Sequence, residues 1–579
     1  MKSNATLTFA LSALTFLAGG LGKASAQSCT ALPPTSDFTV EQIAVASGWP
    51  YDIVGLKDGR VFWIERLGAF KVYDGATKAI TTIKTFETFS AKNANVFGDV
   101  ENGLEGMALD PNFAVNHWVY IWYAVPLSKV GSVSQHNLGP IIRLSRFTLK
   151  TNDTQVDDAS EKTIFEHKIY AQCCHMGGAM KMTEDGTLYL STGDNIHYNY
   201  TGTGTARAFD EANAYGDPRS TSSNTNDTRG KILRIKPIAF ADAQTPAPGV
   251  GTTYTIPAGN LKETWDTPEK DKVRPEIYSM GHRNPFSISI HPDKPWVGIG
   301  EANGDNPDDG DDEINIVTKA GFQGWPFIIG ANQNYIPSFW SGRGYNPSSF
   351  AATGITNDSK HNTGAKTLPP ATGAVISVKH GGMQMPINCH GLVWGWVKYD
   401  PANPNKGKLP PYLQNKLLVS GYGTADLRAA TVDDNGKVTK IEVLFPSAFG
   451  NSNGGFTTDV LRGTQGADGA FYVGRGQGIS FSATTACKIF KISYKGECST
   501  VSTRPTEAQI QKIVSGRQAI SHMGATEISI PAGIKRVSAY DMAGKKVWET
   551  ARASDEGLST ASIPASVPSG ALKLRFFRN

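Results

Sequence analysis

The chain has 579 residues, 61 of them glycine, six cysteines and a formal charge of +4. A near-neutral balance with no basic run excludes nucleic acid as the partner that composition points to, and no apolar run beyond residue 26 approaches the ~20 residues that span a bilayer. The length exceeds one ordinary core, so one large domain and a small one are expected.

In chain order, residues 1–26 combine a basic start, an apolar stretch from Leu7 to Leu21 and an Ala24-Ser25-Ala26 ending, the pattern of a cleaved secretory signal. Its removal takes away Lys2 and Lys23 and leaves +2. The mature chain is expected to start near Gln27 and to be soluble or surface-attached, so all six cysteines fall in the exported part, where disulfides persist. Cys487 and Cys498 flank a strand-like KIFKISYKGE and are expected to staple a hairpin. Cys173 and Cys174 have three open fates: a vicinal bridge, separate pairing with Cys29 and Cys389, or free thiols.

From residue 30 to 500 helical periodicity is scarce, and short apolar or alternating runs are closed by Asp-Gly or Asn-Gly turns, as in KDGRVFWIER (57–66), TEDGTLYLSTGD (183–194), DNGKVTKIEVL (434–444) and GADGAFYVGRG (466–476). A turn-then-strand unit repeated over this length predicts an all-β, six-bladed β-propeller with blades of roughly 75–80 residues, large enough to carry long loops. Residues 505–579, after a polar linker, hold short strands, no cysteine and one histidine. They suit a small β-sandwich.

Three places in the large domain carry candidate chemistry. In CCHMGGAM (173–180), His175 precedes a Gly-Gly pair and a strand that ends at Asp194. A propeller topology can bring the two together near the central channel, with His175 as general base and Asp194 fixing its tautomer; a structural histidine and a Cys-Cys-His zinc site are the alternatives. In GHRNP (281–285), Pro285 stiffens a turn that presents Arg283, a fork of donors suited to a carboxylate or developing oxyanion; a surface ion pair is the ordinary alternative. The acidic, glycine-containing stretch from Glu301 to Asn315 suits a hard cation such as Ca²⁺, without EF-hand spacing. A solvated acidic loop is the competing reading. Trp325, Trp394 and Trp396 read as blade packing before they read as sugar platforms.

At these residues the chain resembles the glucose/sorbosone dehydrogenase family, six-bladed propellers that use pyrroloquinoline quinone (PQQ) and Ca²⁺. The likeness runs over about residues 40–493 through ENGLEGMALDPNF (101–113), CCHMGGAMKM, LYLSTGDN, SSNTNDTRGKILRI (222–235), YTIPAGNL, RPEIYSMGHRNPF, DDEINIV and GFQGWP. The resemblance implies His175 as the base that takes the substrate hydroxyl proton, Asp194 as its partner, and Arg283 with Asn284 at the quinone oxygens. It implies Asn303 and Gly304 at the Ca²⁺, with Asp312 and Glu313 binding metal or bracing the loop. Glu101 stands where soluble glucose dehydrogenases place a sugar-contacting Gln. Their cofactor-binding Lys falls near Gly423 or Thr424 and their late Arg pair near Phe456 and Thr458, none of them basic here. Arg428, Arg462 and Arg475 are the nearby substitutes, of which Arg428 and Arg462 are expected at the cofactor.

The tail resembles the Ig-like C-terminal sorting domains of type IX secretion, which implies contact with secretion machinery and a secreted or cell-surface protein. Together these expectations describe a secreted PQQ- and Ca²⁺-dependent dehydrogenase that oxidises an aldose or related polyol hydroxyl and hands electrons to an external acceptor. The alternatives are a propeller that binds carbohydrate or protein without turnover and a Ca²⁺-dependent lactonase-type hydrolase.

Overall fold

The computed structural model describes residues 31–89, 101–130, 138–150, 152–170, 175–196, 199–200, 207–208, 212–303, 311–330, 333–334, 352–379, 391–421, 426–476 and 487–496, and, further on, 518–522, 526–530, 536–540, 545–551, 559–563 and 570–577. The chain divides into two units, Met1–Cys498 and Ser499–Asn579. The signal-like residues 1–26 and five of the six cysteines lie outside the described residues. Cys487 is described, and it is buried.

The turns that punctuate the sequence are held by their own aspartates. Asp433 Oδ1 accepts from the backbone N–H of Asn435 and of Lys437, both at 2.9 Å, and Asp185 Oδ1 accepts from Thr187 N–H at 3.2 Å. Such side-chain bonds favour a turn over continued extension, and the apolar runs on either side pair as antiparallel strands.

Among the described residues of the first unit, six sheets follow one another around the ring: five are four-stranded and antiparallel, and the third is six-stranded, its four blade strands antiparallel and Gly321–Phe322 added in parallel. Their inner strands are Pro50–Gly55, Leu104–Leu109, Gly177–Met182, Asn284–Ile290, Gly391–Trp396 and Val460–Gln465. Each touches the next, and the sixth touches the first. The unit is therefore a six-bladed β-propeller, the fold expected from the repeated turn-and-strand pattern. Blade 6 takes its outermost strand, Phe38–Val45, from the start of the chain, with Phe38 opposite Tyr494 on Lys488–Tyr494. Ladder hydrogen bonds thus close the ring.

The run Val61–Glu65 shows why strands here read as continuously apolar rather than alternating. All five residues are buried. Phe62 and Ile64 pack into the core shared with blade 2, where Phe62 meets Phe113 edge-on at 5.6 Å, while Val61 and Trp63 join Tyr472 and Ile489 of blade 6. A strand sandwiched between two blades has no wet face. Serines stitch the blades further: Ser287 Oγ and Ser289 Oγ accept from Val393 N–H and Trp396 N–H at 3.0 and 2.9 Å. Trp394 stacks on Phe471 and Trp396 lies against His291, both buried, so these two indoles are packing residues.

Among the described residues the longest helix is Ser447–Ser452, and no helix is long and apolar enough to cross a membrane. In the second unit, Gln518–His522, Gly570–Phe577, Arg536–Tyr540 and Lys546–Ala551 form one antiparallel sheet in that order, and Thr526–Ile530 pairs with Ser559–Ile563.

A candidate active site at one mouth of the channel

The inner strands of blades 2, 3 and 4 begin at one end of the channel, and the polar residues singled out in the sequence sit at those beginnings. His175 enters the blade 3 strand with φ +60°, followed by Gly177 at +64° and Gly178 at +89°. A side chain at Gly178 would drive its Cβ to 2.5 Å from the Cβ of Glu105, and one at Gly193 would meet the His175 carbonyl oxygen at 2.0 Å. The glycines on both sides let the His175 turn lie flat against the Thr192–Asp194 backbone; a left-handed histidine is itself uncommon and marks a position fixed by its surroundings.

That approach puts His175 Nδ1 2.6 Å from Asp194 Oδ1. Asp194 is held in turn: its Oδ2 accepts from the Trp325 indole N–H at 2.9 Å, its Oδ1 from Ile196 N–H at 3.1 Å, and its own N–H donates to the Arg283 carbonyl at 2.7 Å. A carboxylate that only accepts puts the proton of a neutral imidazole on Nδ1 and leaves Nε2 as the basic nitrogen. Histidine and aspartate are 4 % and 0 % exposed.

Glu101, Asn284 and the turn after His175 form one network. Glu101 Oε2 accepts from Met176 N–H at 3.1 Å and from Asn284 Nδ2 at 3.3 Å, and Asn284 Oδ1 accepts from Gly177 N–H at 3.0 Å. Both side chains therefore brace the His175 turn. Arg283 is buried with its guanidinium 5.8 Å from the Trp325 ring, and its backbone N–H donates to Glu301 Oε2 at 3.0 Å. Beneath it, His282 Nδ1 lies 2.9 Å from Glu301 Oε1, a buried pair that sequence reading missed. The signal was available as a histidine directly before Arg283.

In the acidic stretch the described residues are braces first. Asp312 Oδ1 accepts from Asn303 N–H at 2.8 Å, and Glu313 accepts from Asn315 Nδ2 at 2.9 Å and Gly330 N–H at 2.6 Å. Burial, with Glu301 close by, pushes the Glu313 carboxyl well above the usual carboxylate range. Gly304 lies outside the described residues. Among the described residues, Asn303 Oδ1 is buried with no hydrogen-bond partner and no group of three or more metal-ligating side chains occurs.

The two arginines expected at the cofactor carboxylates correct that expectation. Arg428 lies on the third strand of blade 5, half exposed and paired with Asp426 at 3.4 Å. Arg462 is buried in the channel, but its donors are engaged by carbonyls of three other blades. Arg475 donates to the Gly454 carbonyl at 2.9 Å. Position in sequence suggested all three, and the direction of each side chain decides otherwise.

Sequence reading also passed over Glu105, an acid inside the apolar strand Leu104–Leu109, which is buried near Tyr51 and whose Oε1 has no hydrogen-bond partner among the described residues. Burial pushes its carboxyl up to about 8, against the pull of Arg462 and Arg66. The folded protein then keeps a proton that the unfolded chain gives up near pH 4.5, so stability present at low pH is lost as pH rises toward about 8. Relative to Glu105→Gln, the wild type is expected to lose stability steadily between those limits in urea melts.

A model of the family described as glucose/sorbosone dehydrogenase matches residues 48–350, just over half of the chain. The chain belongs to this family. It is 25% identical over 236 residues to quinoprotein glucose dehydrogenase B of Acinetobacter calcoaceticus, covering 40% of this chain and 41% of that one. It is 27% identical over 288 residues to an uncharacterised protein of Synechocystis, covering 48% and 57%. The chain thus spans about half the length of these curated relatives. Among solved structures, the soluble aldose sugar dehydrogenase of Escherichia coli is similar at 19% identity and a TM-score of 0.48, covering 79% of this chain and 99% of that one. The PQQ-bound aldose sugar dehydrogenase of Streptomyces coelicolor is similar at 16% and 0.47, covering 80% and 99%.

Arg283 places its buried guanidinium beside the flat wall of Trp325, with Nη1 donating to the Ala302 carbonyl at 3.4 Å, a donor group of the kind a quinone edge accepts from; Asn303 contributes one hard oxygen at the start of the acidic stretch. A cavity of about 580 Å³ also opens into the channel, lined by Val54, Leu109, Met182, Ile290, Trp396 and Gln465. These are the far ends of the inner strands. The cavity lies at the mouth opposite His175 and takes no part in this site.

Proposed function

We propose that the propeller is a PQQ- and Ca²⁺-dependent dehydrogenase of an aldose or related polyol hydroxyl, with His175 as base. The observation that carries the reading is the His175–Asp194 contact at 2.6 Å, buried and backed by Trp325, at the channel mouth beside Arg283. Neutral His175 accepts the hydroxyl proton at Nε2, and Asp194 stabilises the imidazolium that results. Arg283 and Trp325 would hold the quinone end of PQQ, and Asn303 would contribute to Ca²⁺. Bound PQQ would accept the hydride and later pass its electrons to an external acceptor. Glu101 and Asn284 keep the His175 turn in place. Export is part of the same proposal, supported by the signal-like residues 1–26 and the sorting-like residues 505–579.

Calorimetric titration of PQQ into the protein with Ca²⁺, repeated in EDTA, tests this directly. The expected result is tight binding that EDTA abolishes, followed by sugar-dependent dye reduction. Well-folded protein that binds no PQQ would overturn the reading, and lactone hydrolysis in Ca²⁺ alone would replace it with the hydrolase alternative.

A further inference from the structure

The inner strand of each blade is the free edge of its sheet, so the carbonyl and N–H groups on that edge, unlike those paired with the second strand, face the channel outside any ladder. One buried ion pair answers several of them. Arg462, on the inner strand of blade 6, donates through Nε to the Phe286 carbonyl of blade 4 at 2.6 Å, through Nη2 to the Gly177 carbonyl of blade 3 at 2.7 Å, and through Nη1 to the Glu105 carbonyl of blade 2. Its guanidinium stacks 4.7 Å from the ring centre of Tyr51 in blade 1. Asp52, also of blade 1, supplies the complement: its Oδ2 accepts from Met107 N–H at 3.0 Å and Met180 N–H at 3.2 Å, and stands 3.7 Å from Arg462 Nη1. Arginine caps edge acceptors and aspartate caps edge donors. Both side chains are at least 95 % buried.

The three carbonyls are not scattered. Gly177 lies two residues beyond His175, Phe286 two beyond Asn284, and Glu105 four beyond Glu101. We propose that Arg462 is a positioning residue: from across the channel it fixes the strand starts that present His175, Glu101 and the Arg283–Asn284 pair, and with Asp52 it closes the channel beneath them. The planar fork explains why arginine occupies the position, because three carbonyls in different directions match its fixed N–H geometry and not the single ammonium of lysine. The proposal rests on the dehydrogenase reading for its kinetic consequence, but not for its structural one.

The test is Arg462→Met, with Arg462→Lys as a milder second variant that keeps the charge, read by hydrogen exchange and by steady-state kinetics. Expected in both is faster exchange in peptides covering 104–109, 177–182 and 284–290, with the outer strands of those blades unchanged, and a smaller effect for lysine. Where PQQ-dependent turnover is measurable, kcat falls at least about tenfold while KM stays within about twofold. Exchange that rises only in 460–475, or evenly over the whole propeller, would overturn the proposal, as would kcat unchanged in the methionine variant. Wild-type protein without turnover would sink the dehydrogenase reading alone, because the exchange pattern still decides the role of Arg462. If the methionine variant does not fold, the lysine variant carries both readouts.

Discussion

His175→Ala is expected to lower PQQ-dependent sugar oxidation by about a hundredfold to ten-thousandfold, the range of a positioned general base, while leaving PQQ affinity and the melting temperature close to wild type. The size follows from the geometry. With Nδ1 engaged by Asp194 at 2.6 Å, Nε2 is the nitrogen that the proposed reaction assigns to the hydroxyl, and alanine removes it without unpairing a strand. Asp194→Asn separates this role from mere packing. The asparagine keeps the shape but presents a donor as readily as an acceptor, so the imidazole loses the partner that fixes its tautomer and stabilises its charged form. Turnover should fall with KM almost unchanged. A His175→Ala protein that retains a tenth or more of wild-type kcat would remove this residue from the chemistry. The measurement is initial rate against sugar concentration with saturating PQQ and Ca²⁺.

Arg283→Met is expected to cost about a hundredfold to a thousandfold in kcat, the usual loss for a donor aimed at charge that develops during reaction, and to weaken PQQ binding as well. Burial is what makes the loss large. The guanidinium lies inside the protein beside Trp325, where an electrostatic contact is far less screened than at the surface. Arg283→Lys should recover only part of the rate, since an ammonium restores charge without the fork. The His282–Glu301 pair holds the Arg283 backbone from below, so the substitution should leave the turn itself in place. Equal loss in kcat/KM for lysine and methionine would point to the fork; full recovery by lysine would show that charge alone suffices.

The propeller was legible in the sequence because its information is local and repeated: an aspartate-pinned turn, then a short apolar run, many times over. The meeting of His175 and Asp194 was legible for a related reason, since both lie at the ends of one short hairpin of strands. What could not be read is whatever depends on direction across the channel. Arg428 and Arg462 stand near each other in the chain, yet one faces solvent beside Asp426 and the other reaches across the channel to three other blades. Glu105 was passed over within an apolar strand and is a buried acid near Arg462 and Arg66. Glu101 and Asn284 were read as groups for ligands, whereas their hydrogen bonds run to the His175 turn. Periodicity reports which face of a strand is buried; it does not report what a long side chain finds there.

The strand that completes blade 6 comes from the opposite end of the propeller, with about 450 residues between Phe38 and its partner Tyr494. During synthesis, the first blade to emerge is therefore followed by five more before the ring can shut, and until then two sheet edges remain open to other chains. So long a separation between partners leads to the expectation that closure is slower than pairing within any one blade. A permuted chain cut between two whole blades, with its old ends joined, would carry its closing strand beside its partner and should be released from that wait.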